Sequence, residues 1–282
     1  MSAVLEQETE ADVGRLKTFF SRPMEEILVD ADLVPALEAV TAQLESGDLR
    51  SAEPDADGWQ AIPWIKTAIL AGFRSSEIVR IEGGAVGGPA FDRAAFPARR
   101  LEESAGVRLV PGGSAVRRGA YLAPGVVVMP PAYVNVGAHV GERTMVDSHV
   151  LVGSCAQIGR DVHLSAGVQV GGVLEPAGAL PVIVEDRAFL GAQSGVFEGV
   201  QIGRRAVLAP GVQLTRSTTL YDLVLETTWQ GRVPNGAVVV PGSRPATGAF
   251  AESNGLTLYA PVVVKYRDAS TDAATALEEA LR

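Results

Sequence analysis

The chain has 282 residues, 47% of them hydrophobic, so it can bury a sizeable core as one large domain or two to three small ones. Its net charge of −9 and pI near 5.0 exclude a general phosphate-backbone binder, because that affinity comes from clustered Lys and Arg. The acidic start has no signal-peptide pattern, no apolar run approaches the ~18 residues of a membrane span, and the single cysteine, Cys155, forbids an internal disulfide, so a soluble cytoplasmic protein is expected.

Residues 30–46 (DADLVPALEAVTAQLES) carry apolar positions at helical spacing and end at Gly47, a suitable C-terminal stop. A second helix is expected over 63–74 (PWIKTAILAGFR), where Pro63 is permitted in a first turn. Residues 75–105 read as a less regular connection, which gives a mainly helical N-terminal domain over 1–105.

A six-residue period then takes over. Stepping by six from Val110 gives Val116, Leu122, Val128, Val134, Val140, Val146, Val152, Ile158, Leu164 and Val170, all aliphatic. A second series runs from Val184 through Leu190, Val196, Ile202, Leu208 and Leu214 to Leu220, after a gap that holds eight extra residues. Small or branched residues stand two positions before most of these aliphatics, which marks one face of a strand. A helix at 3.6 residues per turn would drift off a step of six. Short strands joined by corners would not, so 106–222 reads as a parallel β-helix. Each hexad forms one side of a triangular prism, and residues 18 apart stack. Glycine often follows the aliphatic, as at Gly141, Gly153 and Gly159, which suits a chain turning a corner with little room for a side chain. Beyond Leu220 the hexads are expected to stop, and 223–282 is expected to hold strands in PNGAVVVPGS and LTLYAPVVVKY and a terminal helix in ATALEEALR.

The stretch TMVDSHVLVGSCAQIGRDVHLSAGVQVGGVLEP, residues 144–176, resembles the signature of the tetrahydrodipicolinate N-succinyltransferases. QLESGDLRSAEP, PWIKTAILAGFR, GRVPNGAVVVPGS and LYAPVVVKY resemble the same family in the same order, so the likeness spans nearly the whole chain. It implies a left-handed coil, a homotrimer with interfacial active sites, and succinyl transfer from succinyl-CoA to the amine of ring-opened tetrahydrodipicolinate in lysine biosynthesis. The CoA ester is a co-substrate, and no permanently bound cofactor or metal is implied. Acetyl transfer to the same substrate and a non-catalytic β-helical scaffold are the alternatives.

Asp147 occupies the corner position that is glycine at 141, 153 and 159, and it matches the family's contact to the substrate amine. Arg108 matches the other substrate-binding position, where a guanidinium can grip a carboxylate with paired hydrogen bonds. An insertion near Gly112 and Gly113 leaves Arg117 and Arg118 as possible substitutes. Glu198 lies three residues after the place where the family has a substrate-binding Glu, which here is Gly195. Phase counting puts Asp147 and Glu198 on different corners, a side of roughly 20 Å apart at ~3.3 Å per residue. If both act on one substrate, two subunits must share the site. Ser165, Gly167, Gly172, Ala192 and Gly211 are the expected places of close approach for CoA, with Lys265 reaching a phosphate. His139 and His163 fall on different sides of the prism, which argues against a shared metal.

Overall fold

The computed structural model describes residues 3–56, 58–82 and 88–268. The terminal helix expected in 274–282 lies outside them.

The hexads form a left-handed parallel β-helix with two-residue strands. Strands 18 residues apart pair in register, as His139 with Gln157 and Val140 with Ile158. Three faces result. Face 1 carries Val116, Val134, Val152, Val170, Val196 and Leu214. Face 2 carries Leu122, Val140, Ile158, Val184, Ile202 and Val233. Face 3 carries Val128, Val146, Leu164, Leu190, Leu208 and Val239. All of these aliphatics point inward and are buried in one continuous core. The corner between faces 3 and 1 is called the first ridge, that between faces 1 and 2 the second, and that between faces 2 and 3 the third.

Both ends of the series differ from the sequence expectation. At the start Leu109, not Val110, pairs with Val128, because Gly112 and Gly113, both at positive φ, accommodate one extra residue before the regular hexads. At the finish Leu220 does not lie on face 2. It opens a hairpin, Leu220–Asp222 with Thr227–Trp229, and Val233 takes the place beside Ile202. The hairpin is tied by the buried Asp222 carboxylate, which accepts from the Val224 and Leu225 amides, Trp229 Nε1 and the Tyr266 hydroxyl. The expected strands after residue 233 form at Ala237–Val240, Ser243–Pro245, Thr257–Tyr259 and Val262–Tyr266.

The glycines after the aliphatics answer to packing and not to φ. A Cβ on Gly153 would lie 2.2 Å from the Gly172 nitrogen on the next coil, and one on Gly141 2.6 Å from the Gly159 carbonyl carbon. The left-handed residue is the third after the aliphatic, and non-glycines often hold it, as at Arg143, His149, Cys155 and Gln193.

The N-terminal domain packs four helices, α1 (Ala3–Phe20), α2 (Met24–Leu28), α3 (Leu33–Ser46) and α4 (Pro63–Ser75). The helix α3 stops at Gly47, whose φ of +87° gives a left-handed cap, and α4 starts at Pro63. Of two hairpins, Ala52–Asp55 with Gly58–Ala61 falls between the two expected helices, and Ile78–Ile81 with Ala90–Arg93 falls in the stretch expected to be less regular. The helical core of Phe20, Ile27, Val40, Ile65, Ile69 and Phe96 takes in Val136 and Cys155 from the second ridge. Polar contacts seal the joint. Ser51 Oγ donates to the Cys155 carbonyl at 2.9 Å, Gln157 Nε2 donates to Ser51 Oγ at 2.9 Å, and Arg50 Nε donates to Gln157 Oε1 at 2.9 Å.

His139 projects outward from face 2 at this joint, with its ring 4.7 Å from that of Tyr121. Its buried Nδ1 has no hydrogen-bond partner among the described residues. Burial, helped by the Arg50 charge, pushes its pKa from 6.5 down to about 3. The unfolded chain then binds a proton below pH 6.5 that the folded chain refuses, so stability falls as pH drops through that value. His139→Phe keeps the ring contact and removes the linkage. Urea unfolding at pH 7 and pH 5 is expected to show the wild type losing ~2 kcal/mol that the variant keeps.

Candidate active site

The first ridge is a ladder of short corners stacked along the prism. Asp147 stands on it, half-buried, with its amide donating to the Leu164 carbonyl at 3.0 Å. Its Oδ1 accepts the Ser148 amide at 2.7 Å, which fixes the carboxylate while leaving acceptor capacity on both oxygens. Ser165 is one coil further along. His163, on the adjoining strand of face 3, stacks on Phe189 at 5.1 Å. Burial holds its pKa below the usual histidine range against an opposing pull from the Asp147 charge. The His163 ring thus lies within reach of the Asp147 charge.

Gly167, Ala192 and Gly211 continue the same ridge. The Gly167 amide donates to Ser148 O at 2.8 Å and the Gly211 amide to Ala192 O at 3.0 Å. With their amides engaged between coils, the glycines offer a ligand a ridge free of side chains more than a row of donors. Arg108 lies on the first strand of face 3, exposed, two coils below Met145 in register. Coils repeat at about 4.8 Å, so its backbone is about 10 Å along the axis from that of Asp147. Lys265 sits near the other end of face 3, opposite Val238. Arg117 and Arg118 serve the domain joint instead. Arg117 donates to Phe96 O and Asp92, and Arg118 to Glu38 and Glu45.

Glu198 and Gly172 belong elsewhere, on the second ridge. The gap in the hexads is a loop from Gly171 to Val182, and it overhangs Glu198 to enclose a cleft of about 610 Å³. Glu198 has φ of +57° and accepts the Arg216 amide at 3.2 Å. Phe197, Val173, Pro176 and Leu180 supply apolar walls, and Arg216 adds a cation at the mouth. The sequence analysis did not mark Phe197 or Arg216, although Arg216 follows Glu198 by one coil and register counting would have found it. Gly195 lies on face 1 with no side chain, and the Gln213 carboxamide leans into the space. A Cβ there would be 2.2 Å from Gln213 Oε1.

The expected site residues therefore fall into two sets, and within one chain the width of face 1 separates Asp147 from Glu198. The histidines are also dispersed. His139 is on face 2, His163 on face 3 and His149 on the first ridge, and no metal-holding group of three or more His, Cys, Asp or Glu occurs among the described residues. A further concavity of about 430 Å³ lies between the 52–61 hairpin and face 2. Its acids are taken up internally, Asp186 by Arg160 at 3.2 Å and Glu185 by Trp59 Nε1 at 3.0 Å.

The chain is similar to known proteins over most of its length. It is 45% identical over 251 residues to the 2,3,4,5-tetrahydropyridine-2,6-dicarboxylate N-succinyltransferase of Methylorubrum extorquens (strain PA1), covering 88% of this chain and 89% of that protein. The enzyme of the same name from Parvibaculum lavamentivorans is 47% identical, covering 87% and 88%. The chain belongs to the tetrahydropyridine-dicarboxylate N-succinyltransferase family. The family's N-terminal model (tetrahydrodipicolinate N-succinyltransferase N-terminal) matches residues 19–75, and a hexapeptide-repeat model of succinyl-transferase matches 181–216. Among solved structures, a putative 2,3,4,5-tetrahydropyridine-2-carboxylate N-succinyltransferase from Campylobacter jejuni aligns with a TM-score of 0.46 at 17% identity, covering 82% of this chain and 62% of that one. No helix among the described residues is long and apolar enough to cross a membrane.

The packing at Gly195 has a measurable consequence. Gly195→Ala is expected to cost ~1–3 kcal/mol by overpacking against Gln213 and Phe197. Gln213→Ala in the same chain should relieve a large part of that cost. A urea double-mutant cycle reads the coupling, and strict additivity of the two changes would show that the contact is not felt.

Proposed function

We propose that the chain transfers the succinyl group of succinyl-CoA to the amine of ring-opened tetrahydrodipicolinate, 2-amino-6-oxopimelate, in diaminopimelate and lysine biosynthesis. The observation that carries this is the whole-chain relationship, which runs through the N-terminal helices and the hexads alike. The N-terminal match favours a succinyl over an acetyl donor, since that segment is described for succinyltransferases.

In this reaction the amine nitrogen forms a bond to the thioester carbonyl carbon, the C–S bond breaks, and CoA leaves as the thiol. The amine arrives as an ammonium and must shed a proton before it attacks. Asp147 is the acceptor suited to that step. Its fixed, half-buried carboxylate first holds the ammonium and then takes its proton. Arg108, further down the axis, grips a carboxylate of the acceptor with paired hydrogen bonds. The pantetheine arm lies along the bare ridge of Ser165, Gly167, Ala192 and Gly211, with Lys265 toward the phosphates, and Gly172 and Glu198 close the site from the second ridge.

One substrate reaches both Asp147 and Glu198 only if two copies of the chain contribute. Three copies packed with face 1 inward bring the first ridge of each against the second ridge of the next. The outward residues of face 1 suit that burial. Ala115, Tyr133, Leu151, Gln169, Gly195 and Gln213 carry no charge, whereas face 3 presents Arg108 and face 2 presents Arg232. A homotrimer with shared sites is the assembly this supports.

A thiol-release assay with the cyclic diacid is expected to show faster CoA production from succinyl-CoA than from acetyl-CoA. Release from neither donor would remove the assignment. Asp147→Asn should lower kcat ~100-fold or more with the unfolding midpoint unchanged. Mixing inactive Asp147→Asn and Glu198→Gln chains under demonstrated subunit exchange should restore part of the activity, because some interfaces then combine the two intact ridges.

A further inference from the structure

Lys66, on α4, is fully buried. A buried ammonium costs several kcal/mol unless other groups compensate it, and burial pushes its pKa below the ordinary lysine value. It has no carboxylate partner among the described residues. Its one hydrogen-bond acceptor there is the main-chain carbonyl of Ala179, 113 residues further along and inside the loop that overhangs Glu198. The neighbouring Cys155 thiol is itself pushed up to about 11 by burial and stays neutral.

The rest of the loop shows what this bond supports. At one end Leu174 packs against the helical core, and Arg74 at the end of α4 meets Glu175 at 3.1 Å in an exposed pair worth little by itself. At the other end the Leu180 carbonyl presses on the second ridge, where a Cβ on Gly199 would lie 2.4 Å from it. Gly199 adjoins Glu198. A continuous line of contact thus runs from the packed helix α4 through Lys66 to Ala179 and Leu180, and from there to the corner that carries Glu198. Ala179 and Leu180 are themselves walls of the cleft.

We propose that Lys66 is a positioning residue for the Glu198 cleft: it suspends the Pro176–Leu180 wall from the helical domain and so sets the cleft's width for the acyl donor. The choice of ligand rests on the acyl-transfer assignment above and on the apolar walls, which suit a methylene-rich pantetheine arm. The anchoring itself does not depend on that assignment.

Lys66→Met keeps the length and apolar stem of the side chain and removes the ammonium. In the full-length protein, hydrogen exchange of the loop amides of Val173 and Ala179, which donate to Ser154 O and Pro176 O, is expected to accelerate at least ~10-fold, with the strand amides around Ile158 and Ile202 unchanged. The KM for succinyl-CoA should rise ~5- to 20-fold while kcat stays within about 2-fold. Unchanged exchange in the loop overturns the proposal, as does a fast loop with unaltered KM for both substrates. If the wild type turns over no succinyl-CoA, the functional assignment fails and the exchange experiment still decides the anchor. Should Lys66→Met not fold, Gly199→Ala displaces the same wall from the opposite side. It must then give the same loop-selective exchange and KM rise, and its failure to do so overturns the proposal equally.

Discussion

Coil-to-coil register is the constraint on which everything else in this molecule depends. Each two-residue strand is held by main-chain bonds to the coils on either side, as where the Met145 amide donates to Val162 O at 2.9 Å and the Asp147 amide to Leu164 O at 3.0 Å. A slip of one residue would turn Val146 outward and Asp147 into the apolar core. Extra chain is therefore admitted only at corners. The two long insertions, 171–182 and the excursion after Leu214 that returns at Val233, both leave from the second ridge. The same ridge receives the N-terminal domain through Val136 and Cys155. The prism is thus sorted into one elaborated ridge and one bare ridge, with an uncharged face between them.

That sorting explains why a small helical domain is attached at all. The prism is rigid, but a corner loop of a dozen residues is not, and loop walls close a site only when something fixes them. The Ser51, Gln157 and Arg50 contacts lock the domain to the coil immediately below the loop, and α4 then presents Lys66 to the loop from that fixed base. Helix packing, polar cement and loop position form one sequence of dependence.

The prism was legible in the sequence because the hexad period leaves no other backbone that keeps every sixth residue inside. Its ends were not. An aliphatic at the right spacing, Leu220, also serves a hairpin, and the single extra residue at Gly112 and Gly113 shifts phase without breaking the apolar pattern. The hairpins at 52–61 and 78–93 were missed because Pro54, Gly58 and Asp92 weaken any strand signal. The corner glycines follow from the same count, since the close approach of the next coil leaves no room there for a side chain. For the site, counting hexads was enough to separate Asp147 from Glu198. It could not reveal Lys66, whose partner is a carbonyl and so leaves no side-chain signature, nor that Arg117 and Arg118 are engaged at the domain joint.

Gly195 bears on how the two ridges share their work. A carboxylate at this position would stand in the middle of face 1, one strand before the Glu198 corner, and would add a charge to a face otherwise free of them. Here Gln213 fills that space with a neutral amide whose Nε2 donates to the Gln193 carbonyl at 2.8 Å on the first ridge. Position 195 thus sits beside a neutral cross-link along face 1, which would lower the desolvation cost of packing that face against another copy. On the proposed mechanism proton handling falls to Asp147, and Glu198 approaches from the opposite side on a left-handed corner beside Gly199 and the loop. On that reading the loop anchor and the neutral position 195 are linked: with no carboxylate on face 1, the position of Glu198 matters more.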